Sequence, residues 1–275
     1  IVAEIQSRIY FQTTNNKSYL VKNIIKKKTR KNKWMCGFAG FLPSINEEKD
    51  NVFISSMLSR IKYRGPDNTS IYRNNKIALG HHRLSIIDLQ GGNQPSVDSH
   101  SKDCLVFNGE IYGYKKYAKR LKDLGIELKD SSDTEVLFKF LINFGVDITL
   151  KEIDGMFSFA YFCAKENALY LVRDRAGEKP LYYYSSKDFF VFGSELKSIK
   201  CFKNVNCEIS PSSRDLFFRY GYIPSPFTIY ENIFKLNPAS YIEVDTNKNS
   251  FVYTEHKYSI FTQYNENTIA LNKND

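Results

Sequence analysis

The sequence predicts an α+β fold in which strands and helices fall in separate runs. Three observations carry this. Short apolar runs of strand length come in pairs with turn-like joints, as in MFSFAYFC (156–163) and LYLV (169–172) joined by AKENA. Helical periodicity is confined to a few stretches. The aromatic content, 21 Phe and 19 Tyr against one Trp, suits a strand-rich core. Strands gathered before and after a helical block point to sheets packed against helical layers rather than to alternating α/β units.

MCGFAGFL (35–42) is apolar and punctuated by glycine, as a buried strand would be. Residues 50–61 place Phe53, Ile54, Met57, Leu58 and Ile61 at helical spacing. RGPD (64–67) is turn chemistry, and short strands are expected at 69–73, 76–82 and 104–107. Tyr117, Ala118, Leu121 and Leu124 share a helical face that Gly125 ends. Ser132 followed by Glu135 is a capping box, opening a helix that buries Val136, Leu137, Phe140, Leu141 and Phe144 and stops at Gly145. LYYY (181–184) and FFVF (189–192) form a second hairpin. Residues 201–275 read as irregular, with SPSSRD, YIPSPF and KLNPAS as loop or cap signals.

Composition excludes several classes. With 42% hydrophobic and 25% charged residues the chain is neither disordered nor collagen-like. No apolar run approaches the ~18 residues needed to span a bilayer. The net charge of +9 suggests nucleic acid only until it is located. Residues 1–34 hold nine Lys/Arg and one acidic residue, so the other 241 residues, with 30 basic and 29 acidic, are nearly neutral. No nucleic-acid or membrane partner is expected. The basic stretch reads as upstream sequence, a removable segment or a basic arm. Five cysteines without a CxxC spacing, Cys36, Cys104, Cys163, Cys201 and Cys207, suit free thiols in a reducing, cytoplasmic compartment. The four histidines lack metal-ligand spacing, so no metal site is expected.

Cys36 follows Met35 directly. If translation starts at Met35 and the methionine is removed, Cys36 comes first and one residue carries both a thiol and a free α-amine. The reference pKa of the amine is about 7.7–8.0 and that of the thiol about 8.5, so the amine can take the thiol proton near neutrality. Read in isolation, Asn108-Gly109 is a hairpin turn, Asp133 a helix-start residue, and His81 and His82 structural or solvent-facing.

Ten strings follow in order: MCGFAGFL, RGPD, GHHRLSIIDL (80–89), GGNQP (91–95), FNGEIYGY (107–114), SSDTE (131–135), DGMFSFAYF (154–162), RDRAGEKPLYYY (173–184), FGSELKSI (192–199) and YIPSPFTIYENIFKLNP (222–238). Together they resemble the N-terminal glutaminase domain of glutamine-hydrolysing asparagine synthetases. Those are class II glutamine amidotransferases of the N-terminal-nucleophile hydrolase superfamily. The resemblance covers Met35 to about Tyr258.

The resemblance implies a four-layer αββα sandwich. It makes Cys36 the nucleophile and Asn108 and Gly109 the oxyanion hole. Arg83 matches the residue that holds the α-carboxylate of glutamine, a role suited to a guanidinium fork. Leu84, Ser85, Ile86 and Ile87 match the pocket lining, and Glu110 and Asp133 the acids that hold the α-ammonium. Arg173, Asp174 and Arg175 are expected to brace the region by ion pairing, and the other four cysteines to be inert. The expected division is a basic extension over 1–34, a glutaminase domain over 35–200 and a connector over 201–275 leading to a synthetase domain.

Glutamine is the implied substrate, a synthetase domain or subunit the implied recipient of ammonia, and a homodimer is compatible. The glutaminase domain needs no cofactor, whereas ATP and magnesium belong to the synthetase half, whose SGGxDS string does not occur in these 275 residues. Alternatives with the same fold are an amidotransferase serving another carboxylate or a sugar, or an inactive interaction protein if the basic extension is retained. AGEKP (176–180) and FGSELKSI depart from the family's usual wording without touching an assigned site residue.

Overall fold

The computed structural model describes residues 35–43, 45–84, 92–202, 205–247 and 251–258. Within them twelve strands form two antiparallel six-stranded sheets. Sheet one has the order β10 (Ile233–Lys235), β8 (Tyr182–Ser185), β9 (Phe190–Gly193), β1 (Gly37–Leu42), β3 (Ala78–Arg83) and β2 (Asn68–Arg73). Sheet two has the order β12 (Tyr253–Lys257), β11 (Ser240–Asp245), β7 (Ala168–Arg173), β6 (Gly155–Cys163), β5 (Cys104–Ile111) and β4 (Ser96–Val97).

Period-two alternation assigns each strand residue to a layer. Phe38 and Leu42 of β1, Leu79 of β3, Val106 of β5, Ala160 and Phe162 of β6, Leu171 of β7 and Phe190 and Phe192 of β9 fill one cluster between the sheets. Their neighbours face outward. Ala39, Phe41 and Ala78 pack with Ile54, Met57 and Leu58 of helix α1 (Glu47–Ser59) and with Ile199 of α4 (Leu196–Lys200). On the far side, Phe107, Phe157, Phe159 and Val172 pack with α2 (Tyr114–Asp123) and α3 (Asp133–Glu152). Helix, sheet, sheet and helix therefore stack in four layers around three apolar interlayers, the αββα arrangement expected. Strands buried on both faces explain why their sequences run apolar instead of alternating. Gly80 lets α1 approach closely, since a Cβ there would lie 2.6 Å from Leu58 Cδ1.

The helix caps match the sequence closely. Ser132 Oγ accepts from Glu135 N at 3.1 Å at the start of α3. The reciprocal half of the capping box is absent, because Ser132 N donates to Asp130 and the Glu135 carboxylate takes Lys129 N. Gly145, with φ 75°, breaks α3 where expected, but the helix then resumes to Glu152. The reading of 201–275 as irregular is corrected. Ser210 caps a helix, α5 (Pro211–Tyr220), with Pro at its start, and β10, β11 and β12 extend both sheets past residue 200. Asn108-Gly109 lies within β5 and not in a hairpin turn.

Phe192 is fully buried between the sheets, beside the rings of Phe38 and Phe190. Phe192→Ala is expected to lower the unfolding free energy by about 3–5 kcal/mol in a denaturant titration, through lost burial and an unfilled cavity.

Candidate active site

The inward-facing positions turn polar at one end of the sandwich. On β3, Leu79 gives way to His81 and Arg83; on β5, Val106 to Asn108; on β6, Ala160 to Ser158; on β7, Leu171 to Arg173. Cys36 stands just before β1, two residues from inward-facing Phe38, so the same period carries it to this face. The pairing Gly37↔His82 continues one step to set Cys36 opposite Arg83. Leu84 N donates to Cys36 Sγ at 3.3 Å, and the thiol in turn lies 3.7 Å from Leu84 O. Of the predicted pocket-lining run, Leu84 is thus at the Cys36 thiol, while Ser85, Ile86 and Ile87 lie outside the described residues.

The Cys36 thiol is pushed up by burial, opposed by the Leu84 backbone hydrogen bond and by the cations Arg83 and Arg64. Arg64 was absent from the sequence-based assignment. It is buried, donates from Nε to Cys36 O at 3.0 Å and pairs through Nη1 with Glu195 at 2.9 Å. RGPD therefore delivers a cation as well as a turn. Glu195 belongs to the SEL string that sequence reasoning set aside.

Arg83 is 7% exposed and donates to Asn93 Oδ1 at 3.1 Å. The GGNQP segment that holds it is a strut. Gly92, at φ 68°, packs between Ser132 and the Arg83 guanidinium, where any Cβ would crowd Ser132. Gln94 Oε1 accepts from Phe107 N, and its Nε2 reaches Thr134.

This bond also sets the polarity of the open edge of β5. Phe107 N points to Gln94 and Ile111 N to Asp133 Oδ2 at 3.1 Å. By alternation, the Gly109 N–H between them points out along the same edge, beyond the short β4. A side chain at Gly109 would collide with Met156 O at 2.2 Å, so β6 also requires this glycine. Asn108 is 1% exposed, and its Nδ2 is a buried donor with no partner among the described residues. Such a group is costly unless a ligand satisfies it. His81 ties the two sheets here, with Nε2 3.2 Å from Phe107 O, and burial drives its pKa down to about 3. His82 is held by Thr69 and Leu58. Both histidines are buried and structural; neither faces solvent.

Asp133 occupies the first turn of α3, as expected. Its pKa is raised to about 6, first by burial and then by neighbouring Glu110, against the Ile111 N–H that favours its charge. Glu110 and Asp133 thus place two carboxyl groups close enough to interact, each disfavouring the other's charge. The 173–175 brace works differently from the expectation. Arg173 donates to the carbonyls of Gly177, Lys179 and Leu236, and Asp174 accepts from the N–H groups of Ala176, Glu178 and Lys179. Arg175 donates to the carbonyls of Leu150 and Ile153, and among the described residues the ion pair of this segment is its 3.6 Å contact with Asp154. Backbone carbonyls, not mutual ion pairs, hold this loop.

Among the described residues no cluster of His, Cys, Asp or Glu is placed to hold a metal, and no helix is long and apolar enough to cross a membrane.

A cysteine at the entry to a central strand thus faces out between two stacked sheets, beside the polar ends of its neighbours. The same fold is seen in Bacillus subtilis glutamine phosphoribosylpyrophosphate amidotransferase. That structure matches with a TM-score of 0.58 at 17% identity, covering 82% of this chain and 50% of the other. The glutamine amidotransferase domain family matches residues 35–259, and the chain belongs to it. Among curated relatives, a Methanocaldococcus jannaschii protein provisionally named glutamine-hydrolyzing asparagine synthetase 2 is 36% identical over 235 residues, 78% of this chain and 45% of that protein. Glutamine-hydrolyzing asparagine synthetase 3 of Bacillus subtilis is 31% identical over 211 residues, 74% of this chain and 34% of that protein. The chain spans less than half the length of these relatives.

If the Glu110 and Asp133 carboxyls hold the substrate's ammonium, as the resemblance implies, binding depends on pH. Protonation of Asp133 removes charge that an ammonium needs, so glutamine affinity for a Cys36→Ala chain should fall about tenfold per pH unit below pH 6, measured by calorimetric titration.

Proposed function

We propose that the chain hydrolyses glutamine to glutamate and ammonia through a thioester on Cys36. The observation that carries this reading is the buried, unpartnered Asn108 Nδ2 beside an outward-pointing Gly109 N–H, on the strand that faces the nucleophile. Two donors waiting at a buried edge suit a negative oxygen that exists only during reaction.

In this mechanism Arg83 holds the substrate α-carboxylate, and Glu110 and Asp133 hold its α-ammonium. The side-chain carboxamide then lies over Cys36. The freed α-amine of Cys36 takes the thiol proton, and the sulfur attacks the amide carbon. Asn108 and Gly109 receive the oxyanion, each good donor being worth about 3–4 kcal/mol. The amine returns its proton to the departing nitrogen, which leaves as ammonia. Water, deprotonated by the same amine, then attacks the thioester and releases glutamate. The reading requires that the working chain begin at Cys36, because an upstream peptide would turn the amine into an amide with no basicity.

Similarity to asparagine synthetases supports a recipient for the ammonia: an ATP-dependent synthetase domain that amidates aspartate. On this reading residues 36 to about 258 form the glutaminase, and Met35 and the basic stretch before it are absent from the working chain.

Cys36→Ala is expected to abolish glutamate release in a coupled dehydrogenase assay. Asn108→Ala should lower kcat by about 10²–10³ with little change in KM, since its donor serves the transition state. Unchanged turnover in Cys36→Ala would refute the mechanism.

A further inference from the structure

Lys179 is a buried cation that neither the sequence nor the mechanism above explains. It is 5% exposed, and its backbone is clamped from both sides: Lys179 N donates to Asp174 at 2.9 Å, and Lys179 O accepts from Arg173 Nε at 2.8 Å. Its position is therefore set by the braced 174–180 loop rather than by its own side chain. The ammonium reaches Met35, with Nζ 2.8 Å from Sδ, and has no other direct partner among the described residues. A thioether is a poor acceptor, and a buried ammonium ordinarily has a better one. Met35 is the residue immediately before the nucleophile. On the proposed reading it is removed, and the space it vacates lies between the Lys179 ammonium and the new terminus.

We propose that Lys179 is a positioning residue for the α-amine of Cys36: its ammonium, facing the new terminus across the space of Met35, disfavours a second positive charge and holds the amine in the neutral form, with its lone pair left free to accept the thiol proton. This inference rests on the glutaminase reading. The electrostatics act in one direction. A protonated amine beside an ammonium is a like-charge pair, so the amine pKa falls below its ordinary 7.7–8.0. Burial draws the Lys179 pKa below its ordinary value, Glu178 and Asp174 on its own loop and Glu110 on β5 favour its cationic form, and Arg64 opposes it. Around Cys36, Arg64 and Arg83 favour the thiolate and Asp133 opposes it. A neutral amine and a thiol able to ionise are what a one-residue nucleophile and base requires, and Lys179 supplies the part that the flanking arginines do not reach directly.

The test uses chains beginning at Cys36: unsubstituted, Lys179→Met and Lys179→Arg. Two quantities are measured against pH, kcat/KM for glutamate release and the 15N chemical shift of the Cys36 amine. The unsubstituted amine is expected to titrate below 7.7. Lys179→Met should move both the amine titration and the acid-side limb of the rate profile up by about one pH unit. The rate loss is then about tenfold on the acid side and closes at high pH. Lys179→Arg should keep the original limb. An amine titrating at 8 or above in the unsubstituted chain overturns the proposal, as does a Lys179→Met profile lowered equally at every pH or not shifted. Lys179→Gln serves as a second neutral variant should the methionine chain not fold. If the unsubstituted chain releases no glutamate, the glutaminase reading falls, while the amine titration still decides the role of Lys179.

Discussion

Two sheets that bury both of their faces leave a polar side chain few places to go. Within the sandwich the interlayer is filled by Phe38, Leu79, Val106, Phe162, Phe190 and Phe192, and a charge there would be desolvated without a partner. Toward one end of the sandwich, at the entry to β1, the second halves of β3, β5 and β7 and the first half of β6, the inward positions become polar. Cys36, Arg83, Asn108 and Arg173 all sit at that boundary. The make-up of the site is thus a consequence of strand register. Antiparallel pairing sets the start of β1 against the end of β3, the second sheet stacks on them, and a side-chain period of two turns Cys36, Arg83, Asn108 and Arg173 toward the space between the sheets.

The same boundary explains the unusual protonation of the site. The groups are buried enough to feel the protein but have little water to screen them. Burial raises the Cys36 thiol and the Asp133 carboxyl and lowers His81, while Arg64 and Arg83 pull the thiol back toward ionisation. The arginines are themselves anchored, Arg64 by Glu195 and Cys36 O, and Arg83 by Asn93. Positioning therefore comes from loops that are hydrogen-bonded into the sheets rather than from the strands alone.

Much of this was legible in the sequence where physics acts locally. Double burial makes β1, β6, β7 and β9 read as apolar runs, and the start of α3 carries its own cap in Ser132. Cys36 beside Met35 needed no structure to be noticed. What could not be read is whatever tertiary contact creates. α5 buries only Ser213, so it has no apolar stripe, and β12 is an edge strand with an exposed face, so neither carries a strong period. Arg64, Gln94, Lys179 and Glu195 are polar residues in turns and loops, where solvation is the ordinary expectation. Their roles appear only when chain segments up to 144 residues apart meet, as Lys179 and Met35 do. Ordered strings such as GGNQP and SEL contained these residues, but their spacing alone gave no partner for them.

The central claim is that the base and the nucleophile belong to one residue at a chain start. Acid quenching of an enzyme preparation during glutamine turnover, followed by top-down mass spectrometry, measures this directly. The account predicts a polypeptide that begins at Cys36 and carries a glutamyl group on that residue. A turning-over polypeptide that still carries residues 1–35, or a glutamyl group on any other side chain, would contradict it.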